Sequence, residues 1–239
     1  MTTATATATV DERAHRYAVY FAPATGHPLW QAGCDWLGRD PSQGQPSPPP
    51  ARAELVTPWR YGFHATIKAP MRLAEGVSQT QFLEALEDWA SQHEPIDLPA
   101  LEVGLLDDFI ALTPKPAQQN YVALRALAAD CVRTLDAWRA PLSPQELAHQ
   151  TRGPLTPRQL ENVALWGYAH VMDDWRFHMT LSNTLAATPA VASATLLANA
   201  QIHFAKALAE PLYFDAVCVF VEPVPGAPFV MIQRIRLGV

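Results

Sequence analysis

Phe63-His64-Ala65-Thr66-Ile67 and Phe177-His178-Met179-Thr180-Leu181 share one pattern, F-H-x-T-aliphatic, once in each half of the chain. In an extended strand, residues i and i+2 point to the same face. His64 and Thr66 therefore share a face, while Phe63, Ala65 and Ile67 take the other. His178 and Thr180 stand in the same relation to Phe177, Met179 and Leu181. Each strand is expected to bury an apolar side and to present an imidazole beside a hydroxyl. The bare H-x-T pattern is weak. His149-Gln150-Thr151 repeats it between Ala148 and Arg152 in a turn-rich stretch, without an apolar residue on each side, and is read as coincidental.

Outward from the motifs, alternation and β-formers predict strands at Arg16–Ala22, Tyr61–Lys68 and Arg176–Ser182, and two final strands at Phe214–Val221 and Phe229–Leu237. A hairpin is expected at Leu98–Leu105 and Phe109–Thr113 around Asp107–Asp108. Helical periodicity predicts helices at His27–Leu37, from Ser78 to about His93, at Tyr121–Trp138, Arg158–Leu165 and Val191–Leu208. Pro141–Pro157 reads as irregular. A strand–helix–strand–strand theme occurs twice without strict alternation. The expected class is α+β: a bilobal, duplicated β-α-β-β architecture with antiparallel sheets facing a central groove about a pseudo-two-fold.

The 239 residues are 49% hydrophobic and 17% charged, with a net charge of −6. Such a balance excludes a disordered chain and a broad basic nucleic-acid surface. Residues 1–14 are expected to form a disordered tail, and residues 15–239 one domain. Five of the 22 prolines fall in Pro41–Pro50 (PSQGQPSPPP), read as a surface insertion in the connections, with a docking site for a proline-recognising partner as the alternative. Cys34, Cys131 and Cys218 form no CxxC pair and are read as reduced thiols of a cytoplasmic protein. No membrane span, cofactor or metal is expected, and the chain is expected to be a monomer.

Two facing imidazoles suit one reaction type. A neutral histidine takes a proton from water and a protonated one gives a proton to a leaving oxygen. The unperturbed histidine pKa near 6.5 makes both forms available near neutral pH. Threonine hydroxyls donate to the non-bridging oxygens of a phosphoryl group. Lys68 and Arg176, two residues from Thr66 and His178, are candidate phosphate-binding cations on the same faces. Arg60 and Gly62 precede His64 with the same parity, and Gly62 is read as allowing close approach of substrate. Tyr20 and Tyr168, with Trp166, are candidate groove walls. The plainer alternatives are a solvated Lys68, an Arg176 salt bridge to Asp173 or Asp174, and a core Tyr20. His170 is read as an ordinary loop histidine. No Gly-rich phosphate loop occurs.

The sequence resembles the 2H phosphoesterase superfamily, named for two H-x-[TS] signatures and including bacterial RNA 2′,3′-cyclic phosphodiesterases. RYAVYFAP (Arg16–Pro23), RYGFHATIKAP (Arg60–Pro70) and WGYAHVMDDWRFHMTLS (Trp166–Ser182) resemble a branch of phosphonate metabolism proteins encoded in phosphonate-utilisation operons. The resemblance runs from Arg16 to Leu237. It implies a bilobal fold with the motifs on strands lining one groove, and His64, Thr66, His178 and Thr180 as the catalytic quartet. The expected activity is metal-independent hydrolysis of a cyclic phosphodiester, either a ribose-like cyclic phosphate or a 2′,3′-cyclic nucleotide, with an RNA end as a further partner. The first alternative is a non-catalytic nucleotide- or RNA-end-binding module using the same groove. A metal-dependent hydrolase ranks last, because a third ligand at useful spacing is missing.

Overall fold

A computed structural model describes residues 13–44, 48–115 and 121–239. In chain order the elements are β1 (Arg16–Phe21), α1 (Pro28–Leu37), α2 (Val56–Tyr61), β2 (Ala65–Met71), α3 (Gln79–Ser91), β3 (Ile96–Asp97), β4 (Leu101–Leu106), β5 (Phe109–Pro114), α4 (Val122–Thr134), α5 (Pro144–Gln150), α6 (Pro157–Trp166), β6 (Met179–Thr180), α7 (Ala190–Phe204), β7 (Tyr213–Phe214), β8 (Ala216–Glu222) and β9 (Val230–Arg236). Seven strands form one sheet in the order β4-β5-β6-β2-β1-β8-β9, and β3 pairs with β7 apart from it. All the neighbouring pairs are antiparallel. The expected antiparallel α+β character is present. The two motifs, however, belong to one continuous sheet among the described residues, not to two facing sheets, and a duplicated lobe is not shown. The link is β6, which pairs with β5 on one side and β2 on the other.

The core lies under the strands. The β8 side chains are buried throughout, and α4 packs on β2, α7 on β4 and α3 on β9. Helix α1 begins at Pro28, where a missing N–H costs nothing, and His27 caps it by accepting from the Leu29 N–H at 3.1 Å. Its apolar stripe of Trp30, Gly33, Cys34 and Leu37 follows helical spacing. Ser78 and Gln81 close a reciprocal capping box on α3, as the Ser78 boundary predicted. The three cysteines are free and buried. Among the described residues no helix is long and apolar enough to cross a membrane.

Several expectations change. Tyr61 ends helix α2 and does not begin a strand, because Gly62, at φ 80° and ψ 173°, breaks the chain direction just before the first motif. The expected irregular segment Pro141–Pro157 contains α5, whose Ser143–Glu146 capping box was readable as S-x-x-E. The first twelve residues of the expected tail lie outside the described residues. Arg13, by contrast, is anchored: its Nη2 donates to the carbonyls of Leu73 and Ala74 at 2.7 and 3.0 Å. Ala14 is held too, its N–H donating to the Tyr17 hydroxyl at 2.9 Å. In the proline-rich segment, residues 45–47 lie outside the described residues. Pro41 itself is buried and forms part of a short turn, so the segment's start belongs to the packed interior.

Helix α1 sets the entry to the first motif through one close approach. A Cβ added at Gly33 would lie 2.2 Å from the Phe63 ring. Exchanging a helical glycine for alanine ordinarily stabilises by about 1 kcal/mol. Here overpacking wins, and Gly33→Ala is expected to destabilise by about 1–3 kcal/mol in urea unfolding. Adding Phe63→Leu should recover part of that loss. A stabilised Gly33→Ala protein would contradict the packing.

Candidate active site

Both motifs follow the parity read from the sequence. Phe63, Ala65, Ile67, Phe177, Met179 and Leu181 are 0–2% exposed, whereas the two histidines and two threonines are half-buried. Ala65 and Met179 are direct partners across β2 and β6. Continuing this antiparallel register by one residue sets His64 against Thr180 and Thr66 against His178. The histidines then sit as diagonal neighbours on one face, a relation that spans about 7–8 Å between backbones. Side-chain hydrogen bonds pin the pairing. The Trp175 indole N–H donates to the Thr66 carbonyl at 2.8 Å, and the Trp36 indole N–H donates to the Leu181 carbonyl at 2.8 Å.

The two imidazoles are oriented in the same way. His64 Nδ1 lies 2.8 Å from the Gly62 carbonyl, and His178 Nδ1 lies 2.8 Å from the Arg176 carbonyl. A carbonyl only accepts, so each Nδ1 carries the hydrogen and each neutral ring keeps its lone pair on Nε2. Thr66 Oγ1 is 3.3 Å from His64 Nε2. The Tyr20 ring stacks on His64 at 3.6 Å between centroids and 18° between planes, which fixes the imidazole plane. His64, Thr66, His178, Thr180, Tyr20 and Tyr168 all line one cleft of about 300 Å³.

The other expected residues take different places. Lys68 is 3% exposed, and its Nζ donates to the Val132 carbonyl at 3.1 Å and to Asp136 at 3.3 Å. The parity argument fails there because a register shift falls between Val19 and Tyr20: Tyr20 pairs with Thr66 but Val19 with Lys68, so β2 carries one extra residue at that point. Lys68 lines the adjoining cavity, not the cleft holding the histidines. Arg60 lies on α2, off any strand face, pairs with the buried Glu222 and also lines that cavity. Arg176 is exposed and pairs with Asp107 at 2.6 Å, not with Asp173 or Asp174. It lines a third, smaller cavity beside His178 and His170. Gly62 lines the histidine cleft, and a Cβ there would lie 2.9 Å from Pro41. Trp166 lines the cavity that holds Lys68.

Sequence reading missed Arg16, Tyr61, His149 and Gln150, which line both the histidine cleft and its neighbour. His149 sits on α5, and Thr151 just beyond turns its hydroxyl onto the Leu147 carbonyl at 2.9 Å. The third H-x-T is thus no strand motif, although its histidine reaches the cleft. The S-x-x-E box of α5 was the available signal. Among the described residues no group of three or more metal-ligating side chains comes together.

Burial is the main cause of the histidine shifts. It pushes His64 down to about 4, against the opposing effect of the Gly62 carbonyl and with a further lowering from His178. Burial also lowers His178, with the Arg176 carbonyl opposing and the Arg176 and His170 charges adding to the shift. Above pH 6.5 the folded and unfolded chains both hold His64 neutral. Between 6.5 and about 4 the unfolded chain binds the proton and the folded chain does not. Stability must therefore fall as pH falls through that interval. Carboxylates held low by arginine, such as Glu146 at about 2, lose their contribution only below the ordinary carboxylate range near 4.5. The melting temperature is thus expected to drop between pH 6.5 and 4.5, and to drop less in His64→Gln. Identical profiles would contradict the assignment.

Two curated relatives are similar along most of this chain. Ribose 1,5-bisphosphate phosphokinase PhnN of Janthinobacterium sp. (strain Marseille) is 39% identical over 230 residues, covering 92% of this chain and 50% of that protein. The protein of the same name from Laribacter hongkongensis (strain HLHK9) is 35% identical over 228 residues, covering 93% of this chain and 52% of that protein. The chain spans about half the length of these relatives. Among solved structures, Usb1 of Kluyveromyces marxianus aligns at 10% identity over 92% of this chain and 99% of the other, with a TM-score of 0.33. Residues 66–230, which include Thr66, His178 and Thr180, match the family described as Protein of unknown function (DUF1045), and the chain belongs to that family.

Proposed function

We propose that this protein hydrolyses a cyclic phosphodiester on a ribose-like sugar, using His64 and His178 as an acid–base pair. The observation that carries the reading is the paired motif itself. Two imidazoles that keep their lone pairs on Nε2, with His64 Nε2 in contact with the Thr66 hydroxyl, and two threonine hydroxyls share one face and one cleft. The curated relatives are named for a ribose bisphosphate, which supports a small phosphorylated ribose as the substrate class. The phosphokinase activity in that name is said of those longer proteins, and this chain contains no GxxxxGK[ST] loop.

His64, the deeper ring with its proton affinity pushed to about 4, is the base. Its Nε2 takes a proton from water as the water oxygen bonds to phosphorus. The bond from phosphorus to one ring oxygen breaks in line, and His178 Nε2 gives that oxygen its proton. One water is consumed and a phosphomonoester results. Thr66 and Thr180 donate to the non-bridging oxygens as charge builds on them. His178 must arrive protonated. An anionic phosphate beside it raises its proton affinity, as the Asp107 carboxylate already does.

The test is cleavage of cyclic phosphates, including adenosine 2′,3′-cyclic phosphate, followed by phosphorus NMR with and without EDTA. Turnover is expected to survive EDTA. His64→Ala and His178→Ala should each lose about 10²–10⁴-fold in kcat. Thr66→Ala and Thr180→Ala should lose about 10²–10³-fold, the cost of an oxyanion donor. No cleavage of any cyclic phosphodiester by the wild-type protein would overturn the reading. Retained nucleotide binding in that case would favour a binding module.

A further inference from the structure

We infer that the cavity adjoining the histidine cleft is a binding site for a second anionic group of the same substrate, a phosphate monoester set apart from the reacting phosphate. The reacting phosphate is taken from the proposed function; the second group goes beyond it. The cavity has a volume of about 330 Å³ and shares Arg16, Tyr61, Ala69, Pro70, His149 and Tyr168 with the cleft, so one small molecule can reach into both.

Its walls carry five basic side chains: Arg16, Arg60, Lys68, Arg72 and Arg139. Their ion-pair partners among the described residues are three carboxylates. Arg16 and Arg60 share Glu222, Lys68 and Arg139 share Asp136, and Arg72 pairs with Glu146. Two positive charges are left over at one small cavity, in a chain whose net charge is −6. The five side chains are only 4–36% exposed, so salt screens the excess weakly. Arg60 also keeps a buried Nε–H with no partner among the described residues. A phosphate monoester carries about −1.5 to −2 charges at neutral pH and accepts hydrogen bonds through three oxygens, matching the excess in sign and size. Arginine donors suit it better than a point charge would. Among the described residues Glu146 is the one carboxylate that lines the cavity; Glu222 and Asp136 do not line it.

The test compares adenosine 2′,3′-cyclic phosphate with its 5′-phosphorylated form. The second phosphate is expected to raise kcat/KM by about 10- to 100-fold, the effect of one or two charge-assisted hydrogen bonds. Arg72→Gln and Arg60→Gln should each bring that ratio down by at least about fivefold, with Arg236→Gln on β9 as a control that keeps it. A ratio near one in the wild-type protein, or one unchanged in both variants, would overturn the inference. Ribose 5-phosphate, but not ribose, should also compete with substrate in the wild-type protein, an arm that needs no variant to fold. If no cyclic phosphate is cleaved, the hydrolase reading falls separately. Calorimetric binding of ribose 5-phosphate to wild-type and Arg72→Gln proteins then decides the anion site. Binding at least tenfold weaker in the variant supports it, and equal affinities or no binding to the wild type sink it.

Discussion

The pairing of Ala65 with Met179 is the constraint on which the rest depends. It is the link between the β4-β5-β6 and β2-β1-β8-β9 parts of the sheet, and it sets each histidine against the other motif's threonine. The pairing is short, since β6 has only two residues. Two tryptophan indoles reinforce it by donating across to backbone carbonyls on either side, that of Thr66 from Trp175 and that of Leu181 from Trp36. The apolar undersides of both strands are buried, so a one-residue slip would turn phenylalanine and isoleucine into the cleft and the histidines into the core. Register and site geometry are the same constraint.

The motif parity was legible from the sequence because strand periodicity needs only local information. What failed was reach along the chain. Arg60 was extrapolated backward along a strand that does not extend there, since Gly62 adopts a positive φ and the residues before it are helical. Lys68 was extrapolated forward across a register shift in β2 that shows only when β1 is paired with it. The ion pair of Arg176 with Asp107 joins residues 69 apart in sequence and depends on how the β4–β5 turn meets the approach to β6. In each case the missing information was tertiary. The bend before β2 and its extra residue separate the cationic cavity from the histidine cleft, where the sequence placed all these groups together.

Glu222 illustrates how a charge-poor chain holds such a cavity. Its carboxylate is fully buried and receives Arg16, Arg60 and the Gly226 N–H. Burial alone would raise its proton affinity, but these donors outweigh that and hold it below the usual carboxylate range. A buried carboxylate shared by two guanidiniums is half the countercharge they need. It fixes both in place and leaves their remaining charge facing inward. Asp136 does the same for Lys68 and Arg139. The low count of charged residues is therefore no obstacle to phosphate chemistry, because the positive charge is concentrated and incompletely paired where it matters.

On the proposed reading, the histidines and the arginines act on one another through the substrate. Desolvation keeps both imidazoles neutral in the unliganded cleft, a state that suits a base and not an acid. In the proposed reaction the incoming phosphodiester anion changes that balance, because its field favours a proton on the more exposed ring. The acid is thus made by the substrate that needs it. A neutral sugar would leave both rings in the same state and gain no proton donor. On this account the preference for an anionic substrate and the catalytic protonation of His178 have one electrostatic origin.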